Sequence, residues 1–287
     1  MALTALALLA AGGGLIGFLL SVLGAGGSIL LLPLLVSGAA LPTREAVPLS
    51  LLVVIMLALA NLGPYARRRQ LALRPALILG LPAMAGSLLG GRWVRAGYVS
   101  EPVQLTVFAL AALVASWLLL RPSPAAAMQG SRPNRASLLL AIQGVIVGLL
   151  TGIAGVGGGF AIVPALVLLG GLPMQLASGT SLLLIPLNAL IALVAMGHWP
   201  ASSLPLMPPL LLGGALGALV GQWLAPHLSE RQLRRGFAAL LVGSALLTGA
   251  ETVRRQSTPH IPSNLSIPHG HTAGDNALCD HDHRPTV

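Results

Sequence analysis

The stretch Gly24-Ala25-Gly26-Gly27-Ser28 interrupts an apolar segment that continues to Pro33, and the same break recurs 131 residues later as Gly155-Val156-Gly157-Gly158-Gly159, before Pro164. The offset also holds over the flanking sequence. The repeated pairs there include Pro42/Pro173, Ala46/Ala177 and Ser50/Ser181. A duplicated, interrupted apolar segment is typical of a membrane protein built from two homologous repeats.

The repeat divides the chain into four parts. We predict a first transmembrane repeat at 1–125, a connecting loop at 126–136, a second repeat at 137–253 and a tail at 254–287. Outside the breaks, the small residues Gly86 and Gly90 recur as Gly217 and Gly221. Their spacing of four residues predicts a closely packing helix face at the equivalent place in each repeat.

The composition indicates that lipid is the main solvent of the protein. Hydrophobic residues make up 55% of the chain and charged residues only 8%, whereas soluble domains carry about 25% charged residues. The net charge is +9, but most of the arginines lie in short connections between apolar runs, which indicates control of topology. We therefore predict an all-α polytopic membrane protein that does not bind nucleic acid.

Ten apolar runs are bounded by Arg, Pro or Gly. They cover 2–23, 28–41, 46–65, 75–91 and 103–120 in the first half, and 137–154, 159–171, 177–197, 204–225 and 234–250 in the second. Because a helix needs about 20 residues to cross a bilayer, eight of the ten are plausible spans. We interpret the first as a retained span and not as a signal peptide, since no basic residues precede it.

The second and seventh runs are short, and each begins at a glycine break. If both cross the membrane, the repeats have five crossings each and are inverted; if both re-enter, the repeats have four crossings and are parallel. The loop at 67–74 carries four arginines and its equivalent at 198–203 carries none. This contrast favours inverted repeats, whose equivalent loops lie on opposite sides of the membrane.

The glycine breaks are candidate anion sites. A glycine run permits positive φ and leaves amide N–H groups uncovered, and a helix that starts there directs unpaired N–H groups at a ligand. The predicted binding residues of the breaks are Gly26, Gly27, Ser28, Gly157, Gly158 and Gly159. The alternative is that these glycines only allow close helix packing.

Hydroxyl and amide side chains inside the runs are the second set of candidates, because they can replace the water shell of an oxyanion. We predict that Thr180, Ser181 and Asn188, which follow the second break, and Ser50 in the first half bind the substrate. Gln143 and Thr151 are weaker candidates. Any of these hydroxyls can instead bond a helix carbonyl one turn back.

No other chemistry is indicated. All seven acidic residues fall in loops, at the edges of runs or in the tail, so a proton relay through buried carboxylates is not expected. The chain has no nucleotide-binding motif and no buried nucleophile with a base. We expect no enzymatic activity, no cofactor and no resident metal.

Taken together, the repeated G-x-G-G-[GS]-x4-P pattern, Gly171-Leu172-Pro173 and the stretch from Ala177 to Ser181 resemble the sulfite exporter (TauE/SafE) family. The resemblance implies a bacterial inner-membrane carrier that exports small sulfur-containing anions such as sulfite, sulfoacetate or other organosulfonates. The first half departs from the pattern, with Ala46-Val47-Pro48-Leu49-Ser50 at the equivalent place. The two halves therefore need not contribute equally to the site.

Two other functions remain open at this point. The tail is polar and contains five of the seven histidines, which is typical of disorder. Its His269, His271, Cys279, His281 and His283 suggest a carrier for a divalent metal ion, whereas a polar tail with incidental metal affinity is the simpler interpretation. The other alternative is a membrane scaffold without transport activity. The sequence leaves the oligomeric state and the exact substrate undetermined.

Overall fold

The computed structural model describes residues 2–39, 41–120, 133–154 and 158–257, and this part of the chain is entirely helical apart from its connections. The α-helices are α1 (Ala2–Leu23), α2 (Gly26–Pro33), α3 (Thr43–Arg67), α4 (Leu73–Arg95), α5 (Glu101–Leu120), α6 (Pro133–Ala154), α7 (Gly159–Leu168), α8 (Met174–Met196), α9 (Met207–Leu224) and α10 (Glu230–Ser257). A π-helical turn, Leu34–Gly38, continues α2. The predicted all-α class is confirmed.

Among the described helices, seven are long and apolar enough to cross a membrane, and these are α1, α3, α4, α5, α6, α8 and the segment that contains α9. Eight long spans were expected. The remaining long helix, α10, is not among these seven. Helix α10 also continues to Ser257, so the first residues assigned to the tail are helical.

Both short runs are short helices that start at a break, as predicted. Helix α2 begins at Gly26 and α7 at Gly159. At about 1.5 Å per residue, neither helix alone spans the roughly 30 Å of a hydrocarbon core. Both are enclosed by longer helices, since α2 contacts α1, α3 and α10 while α7 contacts α5, α6 and α8.

The closest helix pairs join the two halves of the chain. Helix α1 packs along α9, and α4 packs along α6. A Cβ at Gly17 would overlap the backbone of Gly214, and a Cβ at Gly148 would overlap the backbone of Ala83. The second contact is the first shifted by 131 residues with the halves exchanged, so equivalent helices make equivalent contacts.

The glycines at four-residue spacing lie in these same interfaces. Their closest backbone neighbours are Val145 for Gly86, Leu149 for Gly90, Gly14 for Gly217 and Phe18 for Gly221. The predicted small-residue faces are therefore confirmed as close packing surfaces between the halves. Large apolar side chains on the opposite faces of these helices are exposed, including Leu81, Leu212 and Leu216, as expected for surfaces that meet lipid.

The long helices α3 and α8 run antiparallel at the centre. At one end, Glu45 near the start of α3 contacts His198 just beyond α8. At the other end, Ala72 beyond α3 donates its N–H to Thr180 in the first turns of α8, at 2.9 Å. This packing makes α3 and α8 the most enclosed of the long apolar helices that the structure describes.

In each half, the chain crosses back between the first and third helices, because these two helices end at the same level. The Tyr65 hydroxyl near the end of α3 donates to the carbonyl of Ser21 near the end of α1, at 2.7 Å, so α1 and α3 end at the same level. In the second half, Gly90 lies against Leu149 of α6 while its neighbour Gly91 lies against Ala195 of α8, so α6 and α8 also end together. The segments containing α2 and α7 therefore carry the chain from one end of the bundle to the other.

Candidate functional site

The first break ends α1 through a left-handed residue. Gly24 has φ of +75°, and its N–H donates to the Leu20 carbonyl at 2.9 Å. Any side chain at Gly24 would overlap the backbone of Ser178 on α8. A residue without Cβ is required here both for conformation and for space.

Helix α2 starts two residues further on. Gly26 is its first residue, and a Cβ at Gly27 would overlap the carbonyl oxygen of Ile16 on α1. Close packing therefore explains Gly27 in part, as the alternative interpretation proposed. Ser28 lies in the first turn of α2, but its side chain is not among those the structure describes.

In the second break, Gly157 lies outside the described residues, and Gly158 is the left-handed residue before α7, with φ of +73°. The Gly158 carbonyl accepts the N–H groups of Ala161 and Ile162, both at 3.0 Å. The amides of Gly159 and Phe160 precede those donors, so they have no acceptor within the helix. Both residues are buried.

Neither break supplies a side chain that caps its helix, because Ala25 and Gly158 occupy the cap positions. Both cap residues are buried. A helix start carries the equivalent of about half a positive charge. Helices α2 and α7, one from each half, contact each other in the interior.

Helix α8 packs against the first break, although its polar residues follow the second break in the sequence. The Ser178 hydroxyl donates to the Leu23 carbonyl at 2.9 Å. The Ser181 hydroxyl lies 3.0 Å from the Gly24 carbonyl and 2.7 Å from that of Ser178. These two serines hold the end of α1 against α8, so the polar residues of one half support the break of the other.

Ser50 occupies the position on α3 that is equivalent to Ser181. Its hydroxyl donates to the Val47 carbonyl at 2.7 Å, just as Ser181 bonds Ser178 in the second half. The bond to a carbonyl within the same helix is the alternative considered from the sequence. Ser50 is nevertheless completely buried.

Thr180 has a defined role in linking chain segments. Its hydroxyl donates to the Leu176 carbonyl at 2.7 Å and accepts the N–H of Ala72 at 2.9 Å. Its single proton is therefore committed to the protein in this arrangement. The neighbouring Gly179 lies against the backbone of Gln70, so this turn of α8 secures the loop after α3.

Asn188 differs from the other candidates because its amide has no partner. The residue is completely buried, and among the described residues neither its Oδ1 nor its Nδ2 has a hydrogen bond. Asn188 lies seven residues beyond Ser181 and therefore on the same face of α8. A buried amide without partners costs about 1–3 kcal/mol for each unpaired group, and a bound polar ligand removes that cost.

Two further polar residues enter the region. The hydroxyl of Thr151 on α6 lies against Gly158, where a Cβ would overlap it, and donates to the Val147 carbonyl at 2.8 Å. Glu45 is paired with His198 at 3.1 Å, a contact that was not predicted from the sequence. It follows from the antiparallel packing of α3 and α8, which brings the start of α3 to the end of α8.

The metal-binding side chains of the tail lie outside the described residues. Within the described part of the chain, no three His, Cys, Asp or Glu residues come together as a metal site. The described polar side chains that contact the breaks carry hydroxyls, those of Ser178, Ser181 and Thr151. Hydroxyls and backbone N–H groups can solvate an anion without adding a fixed positive charge.

Comparison with known proteins agrees with this description. Residues 9–248 match the model of the family described as Sulfite exporter TauE/SafE. Proteins named "Probable membrane transporter protein" from two strains of Xylella fastidiosa, Temecula1 and 9a5c, are each 32% identical over 241 residues, which cover 82% of this chain and 91% of theirs. No solved structure matches the chain.

Proposed function

Because the chain belongs to the sulfite exporter TauE/SafE family, we propose that this multi-pass membrane transporter exports a small sulfur-containing anion across the bacterial inner membrane. Sulfite, sulfoacetate and other organosulfonates are the candidate substrates. The proposed site consists of the helix starts at Gly26–Ser28 and Gly157–Gly159, with Asn188 from α8. Ser50 and Ser181 orient the breaks and border the site.

The unpartnered amide of Asn188 carries this proposal. Helix starts alone occur in every helical protein, whereas a fully buried amide without a bond is costly and rare. Its Nδ2 supplies two donors for an oxyanion, and the α2 and α7 amides add donors without fixed charge. An anion bound this way leaves its site more readily than one bound by buried arginine, which suits a carrier.

Transport by rocking one repeat against the other is supported by two cavities at opposite ends of α3 and α8. We call the first the Arg95 cavity; it lies at the end with Arg44, Arg95 and Met196 and has a volume of about 440 Å³. The equivalent residues, 131 positions away, are Gln175, Pro226 and Tyr65. They line the second cavity, the Tyr65 cavity, of about 10 Å³. A further cavity of about 390 Å³ at the same end is lined by Gln70, Gln175 and Glu230, so both ends of α3 and α8 carry cavities.

Inverted repeats of five crossings are part of the proposal. The support is that α1 and α3 end together, that α6 and α8 end together, and that contacts between the halves recur with a constant offset. An odd number of passes in each half inverts the second half relative to the first. Four arginines at 67–74 then place the Tyr65 cavity on the cytoplasmic side.

A reporter of membrane sidedness tests the number of crossings. A periplasm-dependent reporter fused after Val287 is expected to be active, and one fused within residues 70–72 to be inactive, because five crossings put the termini outside and this loop inside. Paired cytoplasm-dependent reporters at the same sites serve as controls. A cytoplasmic Val287 fusion would show that the short segments re-enter and that the repeats are parallel.

Substitution of Asn188 by Leu separates a ligand from a packing role. Removing an unpaired buried amide is expected to raise the melting temperature of the protein, since the cost of burial disappears. The same change is expected to weaken anion affinity about tenfold, as the loss of one hydrogen bond to a charged group predicts. Unchanged affinity in the Asn188→Leu protein would exclude this residue from the site.

The substrate is identified by the same measurement on the wild-type protein. Purified protein is heated with sulfite, thiosulfate, sulfate, taurine or sulfoacetate at equal ionic strength. A ligand at 100 times its Kd stabilises the native state by about 2.7 kcal/mol, which gives a clear rise in melting temperature. A rise for sulfur oxyanions that Asn188→Leu reduces is the expected result.

A further inference from the structure

We propose that the Arg95 cavity is a second binding site for a small oxyanion, separate from the central site and located at the end of the bundle where α3 begins and α8 ends. The cavity is formed where α3 begins, α4 ends, α5 begins and α8 ends. Its volume of about 440 Å³ lies within the roughly 300–1,000 Å³ of small-molecule sites. That the bound oxyanion is the transported substrate rests on the proposed function. The positive charge of the cavity and its affinity for an oxyanion do not.

The charge of the cavity favours an anion. Arg44 and Arg95 both line it, and within the described residues neither forms a salt bridge with a carboxylate. Guanidinium is always charged and donates paired hydrogen bonds to oxyanions. Among the described side chains, the cavity therefore has two arginines without a paired carboxylate.

The one described carboxylate beside the cavity is engaged elsewhere. Glu45 Oε1 lies 3.1 Å from His198 Nε2. Its Oε2 accepts the hydroxyl of Ser202 at 2.8 Å and that of Ser203 at 3.1 Å. These three contacts hold Glu45 against the loop after α8, so Arg44 does not pair with the acidic residue next to it in sequence.

Gln104 adds a polar group to the inner wall of the cavity. It lines the cavity from α5 and is only 8% exposed. A buried amide facing a cavity with two guanidinium groups can donate to a bound oxyanion from the inner wall.

The equivalent positions of the other half do not repeat these groups. Arg44 and Arg95 correspond to Gln175 and Pro226, which line the Tyr65 cavity. That cavity has Arg68 in its lining instead, so the pair of arginines is specific to the Arg95 cavity. In the proposed topology, the Arg95 cavity faces the periplasm. An exported anion therefore reaches it after the central site.

Charged thiol reagents test the site without requiring transport. In the full chain with its single cysteine removed by Cys279→Ser, Val94→Cys places a thiol in the cavity lining. After division by the rates for a free thiol, a methanethiosulfonate that carries a sulfonate is expected to react about tenfold faster than one that carries a quaternary ammonium, since charged clefts raise on-rates by about ten- to a thousandfold. Sulfate or methanesulfonate is expected to slow the reaction more than chloride does at equal ionic strength.

Matched arginine variants define which charges act. The double change Arg44→Gln and Arg95→Gln is expected to bring the rate ratio near one and to remove protection by sulfate. Arg92→Gln is the control, because Arg92 lies one turn earlier in the last part of α4 but not in the cavity lining. Its rate ratio and sulfate protection are expected to match those of the parent.

Two results would overturn the inference. A rate ratio near one in the parent would show that the cavity does not attract anions, and protection by sulfate no greater than by chloride would show attraction without binding. Anion flux in proteoliposomes is measured on the same preparations. Absent flux with intact reagent selectivity contradicts the proposed function alone, whereas normal flux without selectivity contradicts this site alone.

Discussion

Replacement of Gly158 by Val is expected to reduce anion flux to the level of empty liposomes. Gly158 has φ of +73° and directly precedes α7, so a Cβ there is strained by about 1–2 kcal/mol. The Cβ would also overlap the Thr151 hydroxyl and cover the amides at the start of α7. Flux in proteoliposomes, corrected for the amount of inserted protein, is the measurement.

Gly97→Val is the control for backbone strain without steric overlap. This residue has φ of +77°, but a Cβ there would meet no atom within 4 Å. Gly97→Val is therefore expected to carry a similar strain in the connection between α4 and α5 while transport persists. If Gly97→Val also abolishes flux, loss in Gly158→Val reflects strain and not the site.

Steric overlap with Thr151 is controlled by a double variant. Gly158→Ala combined with Thr151→Ala removes the hydroxyl that the new Cβ would meet and leaves a methyl group near the first amides of α7. We expect a protein that inserts and melts cooperatively but transports at least tenfold more slowly. Wild-type flux in this double variant would remove the α7 start from the substrate site.

The membrane potential alone is expected to hold a transported monoanion about fortyfold lower inside than outside at 100 mV, interior negative. The potential supplies about 2.3 kcal/mol per charge, and about 1.4 kcal/mol corresponds to a tenfold concentration ratio. Glu45, in the first turn of α3, is bonded to His198 at the edge of the bundle. Electrogenic uniport is the mechanism that we propose.

Potassium diffusion potentials in proteoliposomes test this prediction. The steady distribution of labelled anion is expected to follow the imposed potential and to be indifferent to a pH gradient at fixed potential. Liposomes that contain the Gly158→Val protein give the background. Movement driven by a pH gradient with the potential clamped at zero would show that protons accompany the substrate.

Much of the architecture was predictable because membrane helices are local structures. Hydrophobic length and the glycine breaks predicted short helices in the runs 28–41 and 159–171, and the helices begin at Gly26 and Gly159. The predicted positive φ within the breaks is found at Gly24 and Gly158. The small-residue spacing identified the helix faces that pack between the halves, because only a short side chain permits that approach.

The contacts of the polar residues were less predictable because they depend on packing between the halves. Proximity in sequence assigned Ser181 to the second break, whereas α8 packs against the end of α1 and Ser181 bonds Gly24 of the first. Thr180 has the residue type of a ligand but supports the loop at Ala72. Single residue types do not distinguish a helix-bonding hydroxyl from a substrate-binding one.

The end of α10 shows a different limit. The polar composition from residue 254 predicted the tail, yet the helix continues to Ser257. A helix ends where its backbone hydrogen bonds end, and arginines in a last turn are compatible with helix. Composition therefore identified the change of environment but not the end of the secondary structure.

Flux of labelled sulfur oxyanions tests the central claim most directly. Wild-type protein, the Gly158→Val protein and empty liposomes are compared at one imposed potential, with equal amounts of correctly inserted protein. The account predicts movement of sulfite or an organosulfonate through the wild type alone, in the direction set by the potential. A folded wild-type protein that moves none of these anions faster than empty liposomes would contradict the account and leave a membrane scaffold or a carrier of another substrate.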